Sequence, residues 1–401
     1  LAALALVFPM VMLQQMLSSG AMGGGVSSAI SRAIGAGQTD RAATLAMHAT
    51  VIGGLAGVFF TVLFLVAGPM IYRTLGGQGA VLDGALLYSN TVFLGATGIW
   101  LTNTFASVVR GTGNMRVSSA TLLGVAAAQI CIGGALGLGL GPFPNLGLRG
   151  VALGQALAFT GGAIFFTWYL LSGRAKLDIR PGSVVYSKDM FADILKVGAI
   201  ACLSPLQSVL SVLVMTGFVA RFGTEALAGY GIGARLEFLL VPIAFAIGVA
   251  SVPMVGMAIG ADDVPRARRV AWTAGALAAL ATGLAGLGVF LMPELWARIF
   301  STDPRVIASA RSYLVVAGPA FGFFGLGLAL YFSSQGSGKM LGPVLAQTVR
   351  LVTITVGGAA VVASGGDAAQ FFSVVALALV LYGLASSYAV YSVPWGPKAK
   401  A

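Results

Sequence analysis

The stretch Arg32–Ala42, RAIGAGQTDRA, returns later in the chain as Met257–Ala267, MAIGADDVPRA. A step of 225 residues, from Ile34 to Ile259, relates the two stretches and several landmarks downstream. An Ala/Leu/Gly-rich chain produces chance identities easily, but it does not produce matched Arg, Tyr and Gly landmarks in one register. We therefore predict that two copies of one structural unit make up the chain. The further matched pairs are Arg73 and Arg298, Tyr88 and Tyr313, Gly111 and Gly336, Gly113 and Gly338, and Met115 and Met340.

The composition indicates a membrane protein. Of the 401 residues, 58% are hydrophobic and only 9% are charged, whereas a soluble domain has about 25% charged residues. Lipid offers the backbone no hydrogen-bond partners, so long apolar runs must be spanning helices. The alternation typical of outer-membrane strands is absent from the sequence. We predict an all-α polytopic membrane protein.

Eleven apolar segments are long enough to span a bilayer. The longest polar stretch, Ser172 to Asp193, separates the fifth segment from the sixth and predicts a linker. The expected domains are an N-terminal lobe at 1–175, a cytoplasmic linker at 176–193 and a C-terminal lobe at 194–401. The segments cover approximately residues 3–30, 45–72, 82–108, 117–141, 148–172, 194–219, 226–257, 270–297, 308–334, 341–364 and 369–393.

The repeat offers an explanation for the odd number of segments. The segment at about 194–219 precedes the repeated block, and its counterpart would fall before Leu1. The chain also begins with Leu rather than Met. We therefore expect a full-length protein of twelve helices, of which the first is missing from this sequence. Six helices per half would make the two repeats parallel, and membrane repeats of this kind usually build a transporter.

The basic residues predict the orientation of the chain in the membrane. The net charge of +11 does not indicate nucleic-acid binding, because Lys and Arg stand singly between apolar runs, where they act as topology signals. Most of them lie in loops on the linker side. The linker and the C-terminus are therefore expected to be cytoplasmic, with the protein in the inner (plasma) membrane.

The sequence contains no constellation that indicates catalysis or a metal site. Cys131 and Cys202 lie far apart in apolar stretches and are interpreted as small core residues. The lone His48 lacks partners for a zinc site. No phosphate loop and no Ser/His/Asp arrangement is evident in the sequence. We therefore predict neither an enzyme nor a bound cofactor.

Two charged residues, Arg235 and Glu237, lie inside a predicted span. Counted from Thr224, Glu237 is about 20 Å along its helix at 1.5 Å per residue. A charge at that depth costs several kcal/mol unless it faces a partner or a water-filled cavity, so both residues are candidates for cation coupling. Their spacing of two places them on different sides of the helix. The alternative for Glu237 is an ion pair with a basic residue of another helix, such as Arg350.

Flexible and polar side chains within the spans are candidates for lining a substrate cavity. Methionines near the start of the chain form a stripe that could adapt to varied ligands, although simple packing explains the stripe equally well. Two glutamines lie beside prolines or methionines, and a third lies in the fourth predicted span. The cavity candidates are Met10, Met12, Gln14, Met16, Gln129 and Gln207.

Several motifs resemble those of the multidrug and toxic compound extrusion family. Arg32–Ala42 resembles the loop after the family's second helix, and Gly256–Ala261 resembles the copy of that loop. Arg110–Asn114 is similar to the loop between helices four and five, and Asn145–Ala152 to the stretch that opens helix six. The resemblance covers the whole chain at matching spacing. Ala228–Glu237 most resembles the DNA-damage-inducible-protein-F-like branch.

The resemblance implies two six-helix lobes forming a V, and export of amphipathic, cationic organic compounds by antiport against Na⁺ or H⁺. It implies a monomer that binds small organic substrates in the lipid bilayer and no nucleic acid. Gln129 and Gly133 stand where many members have Asn and Asp, and Gln207 stands where some have an acid. The acid often found in the first helix is absent. Coupling would then depend on the missing helix or on Glu237.

Two other functions are weighed against drug export. A flippase for lipid-linked saccharides belongs to the same superfamily, but a cavity for pyrophosphate would need several basic residues at membrane depth. Only Arg235 and Arg350 qualify. A membrane scaffold without transport activity is disfavoured by the acid within a span.

Overall fold

The computed structural model describes residues 2–175, 177–179, 182 and 185–396. Several predictions concern residues outside these ranges, including the topology signals Lys176, Arg180, Lys398 and Lys400. The described part of the chain is helical and contains no β-strand. The chain divides into two compact units, Leu1–Ala199 and Ile200–Ala401, each with a hydrophobic core of its own.

The first unit begins with a helix that changes its winding part-way along. Seven residues, Met16–Met22, form a π-helix between two α-helical stretches. The longest helix of the unit, α3, extends over the 36 residues Thr39–Thr74. The α-helices are α1 (Ala2–Gln15), α2 (Gly23–Gly35), α3 (Thr39–Thr74), α4 (Gly79–Leu94), α5 (Ala96–Gly111), α6 (Met115–Leu138) and α7 (Gly147–Leu171), followed by α8 (Lys188–Ala201), which crosses the unit boundary.

The second unit repeats this order of helices without a π-helical segment. Short 3₁₀ turns at Ala220–Phe222 and Gly318–Ala320 join consecutive helices. The α-helices are α9 (Leu203–Val219), α10 (Thr224–Gly260), α11 (Val264–Leu291), α12 (Pro293–Ala297), α13 (Pro304–Ala317), α14 (Phe321–Ser337), α15 (Leu341–Ala363) and α16 (Ala368–Ser392).

The helices account for the predicted membrane spans. Among the described residues, ten helical stretches are long and apolar enough to cross a membrane, and α4 with α5, bent by 47°, forms an eleventh. The stretches α1–α2, α8–α9 and α13–α14 each count as one. The all-α polytopic class is confirmed, and the count agrees with eleven segments when the bent pair is one span.

Helix boundaries follow the step of 225 residues found in the sequence. The agreement holds at most boundaries from the end of α2 to the end of α6, except that α3 is one helix where the second unit has α11 and α12. A smaller step relates α7 to α16, because the loop before α16 is four residues shorter. The matched boundaries are Gly35 and Gly260, Thr39 and Val264, Gly79 and Pro304, Ala96 and Phe321, and Leu138 and Ala363.

Glycines bring α6 and α7 into backbone contact. Gly150 and Gly154 lie one turn apart on α7, and Gly133 and Gly137 have the same spacing on α6. A Cβ atom on Gly154 would overlap the backbone of Gly133, and one on Gly150 would overlap the backbone at Leu136. Small residues with this spacing are typical of closely packed membrane helices, where van der Waals contact drives association.

The predicted linker is attached to the first unit. α8 begins at Lys188, inside the stretch expected to be linker. The Asp193 carboxylate accepts hydrogen bonds from Arg32 at 2.7 Å and Arg41 at 2.9 Å. These ion pairs join the start of α8 to α2 and α3. The boundary between units therefore lies after Ala199, six residues beyond the predicted end of the linker.

His48 of α3 holds the segment before α8. Its Nδ1 lies 2.8 Å from the carbonyl of Thr44, and its Nε2 lies 3.0 Å from the backbone nitrogen of Ser187. The carbonyl can only accept and the N–H can only donate, so these partners select a neutral imidazole with its hydrogen on Nδ1. The rings of Tyr186 and Phe191 pack against it at 5.0 and 4.5 Å.

The break between α8 and α9 has a cause in the sequence. Pro205 lacks an N–H group, so it leaves the carbonyl of Ala201, four residues earlier, without its helical donor. The hydroxyl of Tyr331 donates to this carbonyl at 2.9 Å. The helix is interrupted at Cys202, and the freed backbone group is satisfied by a side chain of the second unit.

Candidate functional site

A glycine on α10 positions the hydroxyl group beside Glu237. Gly233 lies one turn before Glu237, and a Cβ atom there would overlap the ring of Tyr313 from α13. The ring therefore packs directly against α10 at Gly233, and its hydroxyl donates to Glu237 Oε1. Tyr313 is fully buried, whereas Glu237 is half-buried. The acid predicted from the sequence thus lies within a packed polar contact.

Aromatic rings surround this contact. The ring centroids of Tyr230 and Phe372 lie 5.5 and 5.2 Å from that of Tyr313, both nearly perpendicular to it. One hydrogen-bond donor leaves a carboxylate with unused acceptor capacity. In apolar surroundings an ionised carboxylate is unfavourable unless it is paired, protonated or bound to a cation. The geometry therefore suits a group that exchanges a cation.

Arg350 of α15 is a buried neighbour of this carboxyl group. Its charge acts on Glu237 electrostatically, but no carboxylate in the described part of the chain lies within 4.0 Å of it. The guanidinium carbon lies 5.6 Å from the ring centroid of Phe324. The direct ion pair considered from the sequence is therefore not formed, and Arg350 contributes positive potential without contact.

Arg235 lies apart from this group. Its side chain is exposed, and its guanidinium carbon lies 4.7 Å from the ring centroid of Phe300. The indole of Trp296 in α12 donates to the carbonyl of Ile232 at 3.0 Å and holds α12 against α10. The structure therefore separates the two cation-coupling candidates, as their spacing predicted, and only Glu237 lies in the aromatic cluster.

Gln207 joins two helices of the second unit. Its Nε2 donates to Thr348 Oγ1 at 2.7 Å, and Gln347 Nε2 donates to Ser208 Oγ at 2.9 Å in the opposite direction. These reciprocal bonds tie α9 to α15. The Gln207 Oε1 atom is buried and has no hydrogen-bond partner among the described residues. One of its two N–H donors is thus used in packing, and its carbonyl oxygen is not used by the described residues.

The remaining cavity candidates divide into three environments. Met10 packs against the hydrophobic core of α1, α3 and α4, whereas Met12 and Met16 are exposed. Gln14 is buried, and neither atom of its amide has a hydrogen-bond partner within the described chain. Gln129 is half-buried on α6. The methionines therefore do not form one surface, and Gln14 is the enclosed polar group that α1 offers.

A polar cluster between the π-helix and α5 was not predicted. Asn103 Nδ2 donates to Gln15 Oε1 and to Ser18 Oγ, both at 2.8 Å. Two turns further along α5, Arg110 Nη2 donates to Ser107 Oγ at 2.6 Å. The sequence places Arg110 next to a loop, but its side chain is buried. Gln15 and Asn103 are amides within predicted spans, and their positions were the one sequence signal for a polar cluster here.

The family of the chain follows from comparison with known proteins. It matches the family model described as MatE over residues 1–133 and 201–361. The matched segments contain Glu237 and Tyr313 and together make up more than half of the chain. The chain belongs to the MatE family. It is therefore a multi-pass membrane transporter and not an enzyme.

Relatives of the chain include other MatE transporters. It is 26% identical over 340 residues to the probable multidrug resistance protein NorM of Thermotoga maritima. This alignment covers 85% of this chain and 73% of NorM. It is 24% identical over 340 residues to an FAD transporter of Shewanella oneidensis, covering 83% of this chain and 73% of that protein. One solved structure, an outward-facing multidrug resistance MATE transporter, aligns with a TM-score of 0.86 at 21% identity, covering 97% of this chain and 86% of the other. That likeness shows the fold.

Proposed function

We propose that this MatE protein is a cation-coupled antiporter that exports amphipathic, cationic organic compounds from the cytosol and is driven by entry of Na⁺ or H⁺. The observation that supports it is the Glu237 carboxyl group, held by one hydroxyl donor in an aromatic cluster of the second unit. The drug-export names among its relatives agree with this cargo. The Ala228–Glu237 stretch supports a place in the DNA-damage-inducible-protein-F-like branch.

Coupling follows from competition for the Glu237 carboxyl group. A proton or Na⁺ neutralises the carboxylate, which lowers the free energy of keeping it among aromatic rings. Release of that cation leaves a negative charge that favours a cationic substrate. Affinities for the two ligands are then linked, and such linkage typically amounts to about 1–3 kcal/mol. Alternating access of the site to the two membrane faces would convert this linkage into antiport.

Dye efflux from vesicles tests the coupling ion. The purified protein is reconstituted with a cationic amphipathic dye inside, and Na⁺ and H⁺ gradients are imposed separately. We expect efflux on the order of tenfold faster under one gradient than without a gradient, because entry of the coupling ion favours release of the cargo. Equal efflux with and without both gradients would contradict antiport.

The same vesicles separate other cargoes from cationic dyes. FAD, the cargo in the name of one relative, is added as a competitor. A fluorescent lipid-linked saccharide tests flippase activity, which the separated positions of Arg235 and Arg350 do not support. Scrambling of that lipid without dye efflux would favour the flippase.

Thiol labelling tests the proposed orientation, with the linker and C-terminus in the cytoplasm. Lys188→Cys and Leu140→Cys place exposed thiols in the linker-side region and in the loop between α6 and α7. Leu140 is preferred to Gly141, whose φ of 65° disfavours a side chain. We expect an impermeant reagent to label residue 188 only from the cytosolic side and residue 140 only from outside. The reverse pattern would invert the topology, since the linker side has most of the basic residues.

A further inference from the structure

A groove on the surface of the first unit follows α7 beside the bend between α4 and α5. Its cavity volume is about 630 Å³, and its walls come mainly from apolar side chains such as Leu101, Ile164 and Leu171. We propose that this groove binds one acyl chain of an anionic phospholipid, whose phosphate is bound by Arg174. This lipid site is separate from the proposed cation site at Glu237, and it does not depend on the transport activity.

Small residues and internally bonded hydroxyls shape the groove. Gly95 lies at the bend, where a Cβ atom would overlap Ala156 of α7, and Gly98 lets α5 approach α7 so closely that a Cβ atom there would crowd Thr160. The hydroxyls of Thr160 and Thr167 donate to carbonyls one turn earlier in α7, at 2.7 and 2.8 Å. These hydroxyls therefore need no hydrogen-bond acceptor from a molecule bound in the groove. The wall is suited to hydrocarbon and offers little to a polar ligand.

The length of the groove matches one leaflet of a bilayer. Its α7 wall extends from Thr160 to Leu171, which is about 16 Å at 1.5 Å per residue. Half of the hydrocarbon core of a membrane is about 15 Å. Trp168 lies near the end of this wall and is half-exposed, as is typical of tryptophan at the interface. An acyl chain in the groove would thus bring its headgroup level with the residues after Leu171.

Arg174 lies at that end and is held in place. Its guanidinium carbon is 4.8 Å from the ring centroid of Trp168. The hydroxyl of Tyr169 donates to the Arg174 carbonyl at 3.2 Å, and Asn114 Nδ2 donates to that hydroxyl at 3.1 Å. Within the described ranges no carboxylate lies within 4.0 Å of Arg174. An exposed guanidinium beside Trp168 at the end of an apolar groove, with no carboxylate partner among the described residues, is complementary to a phosphate with an acyl chain.

Quenching of Trp168 fluorescence tests the site. The full chain in detergent is titrated with phosphatidylglycerol or phosphatidylcholine that has bromine atoms on one acyl chain. The Trp168→Phe variant identifies the share of the signal that comes from Trp168. We expect half-quenching of that share at about fivefold lower concentration of the anionic lipid, because one basic residue near the headgroups contributes about that preference.

Matched variants separate the headgroup contact from the acyl contact. Arg174→Gln should remove the fivefold preference, whereas Arg149→Gln, an exposed arginine at the opposite end of α7, should retain it. Thr167→Phe should fill the groove and weaken quenching by both lipids, whereas Thr167→Val should not. Melting temperatures close to that of the unmodified chain confirm that each variant is folded.

Three results would overturn the proposal. The two lipids might quench Trp168 at equal concentrations, which would indicate ordinary boundary lipid. The preference might survive in Arg174→Gln, which would place the headgroup contact elsewhere. Quenching might persist unchanged in Thr167→Phe, which would mean that the acyl chain does not occupy the groove.

Discussion

Replacing Glu237 by glutamine is expected to abolish gradient-driven dye efflux while the protein stays folded. Glutamine retains the shape of the side chain and an oxygen that accepts from Tyr313, but it neither binds nor releases a proton. Because linkage between cation and cargo is then lost, efflux under the driving gradient should fall on the order of tenfold. The measurements are efflux from vesicles and the melting temperature of the purified variant.

Tyr313→Phe is the matched control for this experiment. It removes the hydroxyl that donates to Glu237 but keeps the ring packed against Tyr230 and Phe372. Loss of the donor should lower the free energy of unfolding by about 1–3 kcal/mol and leave dependence on the driving ion. If Glu237 serves only to hold Tyr313, Glu237→Gln should stay stable and should pump with normal ion dependence, because its oxygen still accepts from the Tyr313 hydroxyl. A stable Glu237→Gln protein with normal ion dependence would remove Glu237 from the mechanism.

Disrupting the glycine contact between α6 and α7 is expected to destabilise the folded protein strongly. Gly154→Leu places a side chain where the Gly133 backbone lies, and the helices must separate because backbone atoms have no alternative rotamer. We expect a loss of about 3 kcal/mol or more in the free energy of unfolding, at the upper end for overpacked sites. The measurements are the melting temperature and the yield of monodisperse protein.

Gly161→Leu tests whether the loss of stability comes from the contact between α6 and α7 and not from placing leucine on α7. Gly161 lies on the same helix, and no neighbouring heavy atom lies within 4 Å of a Cβ atom built there. The change in the free energy of unfolding should therefore stay within about 0.5 kcal/mol. Similar melting temperatures for the two leucine variants would show that α6 and α7 tolerate separation.

The spans and the repeat were predictable because their signals are local. Apolar length marks each helix, and the 225-residue step from Gly35 to Gly260 reappears in the observed boundaries. The position of Glu237 within a span was also visible from its sequence context. Its contact with Tyr313 was not, since that contact depends on how α13 packs over Gly233.

The linker shows where local signals end. Its polar composition predicted a linker but not the contacts through which Asp193 and His48 attach it to the first unit, because these contacts join residues distant in sequence. Arg110 stands next to a loop in the sequence, and no hydrophobic pattern there predicts that it is buried beside the π-helix. Gln207 resembled a cavity residue, but its donor bonds Thr348 on another helix. Pairings of this kind follow from tertiary packing.

The π-helix Met16–Met22 changes how the two halves of the chain correspond. A π-helical turn closes between residues five apart, so it holds one residue more than an α-helical turn. Before the π-helix, the pattern of buried residues in α1 matches the pattern in α10 when positions are offset by 226 residues. After the π-helix the offset is 225 residues. Val7 and Gly233 are both buried, and so are Gln14 and Leu240. A step of 225 would instead pair Gln14 with the exposed Leu239.

The first repeat therefore has one residue more than the second at this point. The π-helix takes up this residue as a bulge, so that the helix before it is not rotated by about 100°, the angle of one helical residue. Glu237 then corresponds to Val11 and not to Met12. Deleting one residue from Met16–Met22 is expected to restore a plain α-helix and one step along the whole repeat.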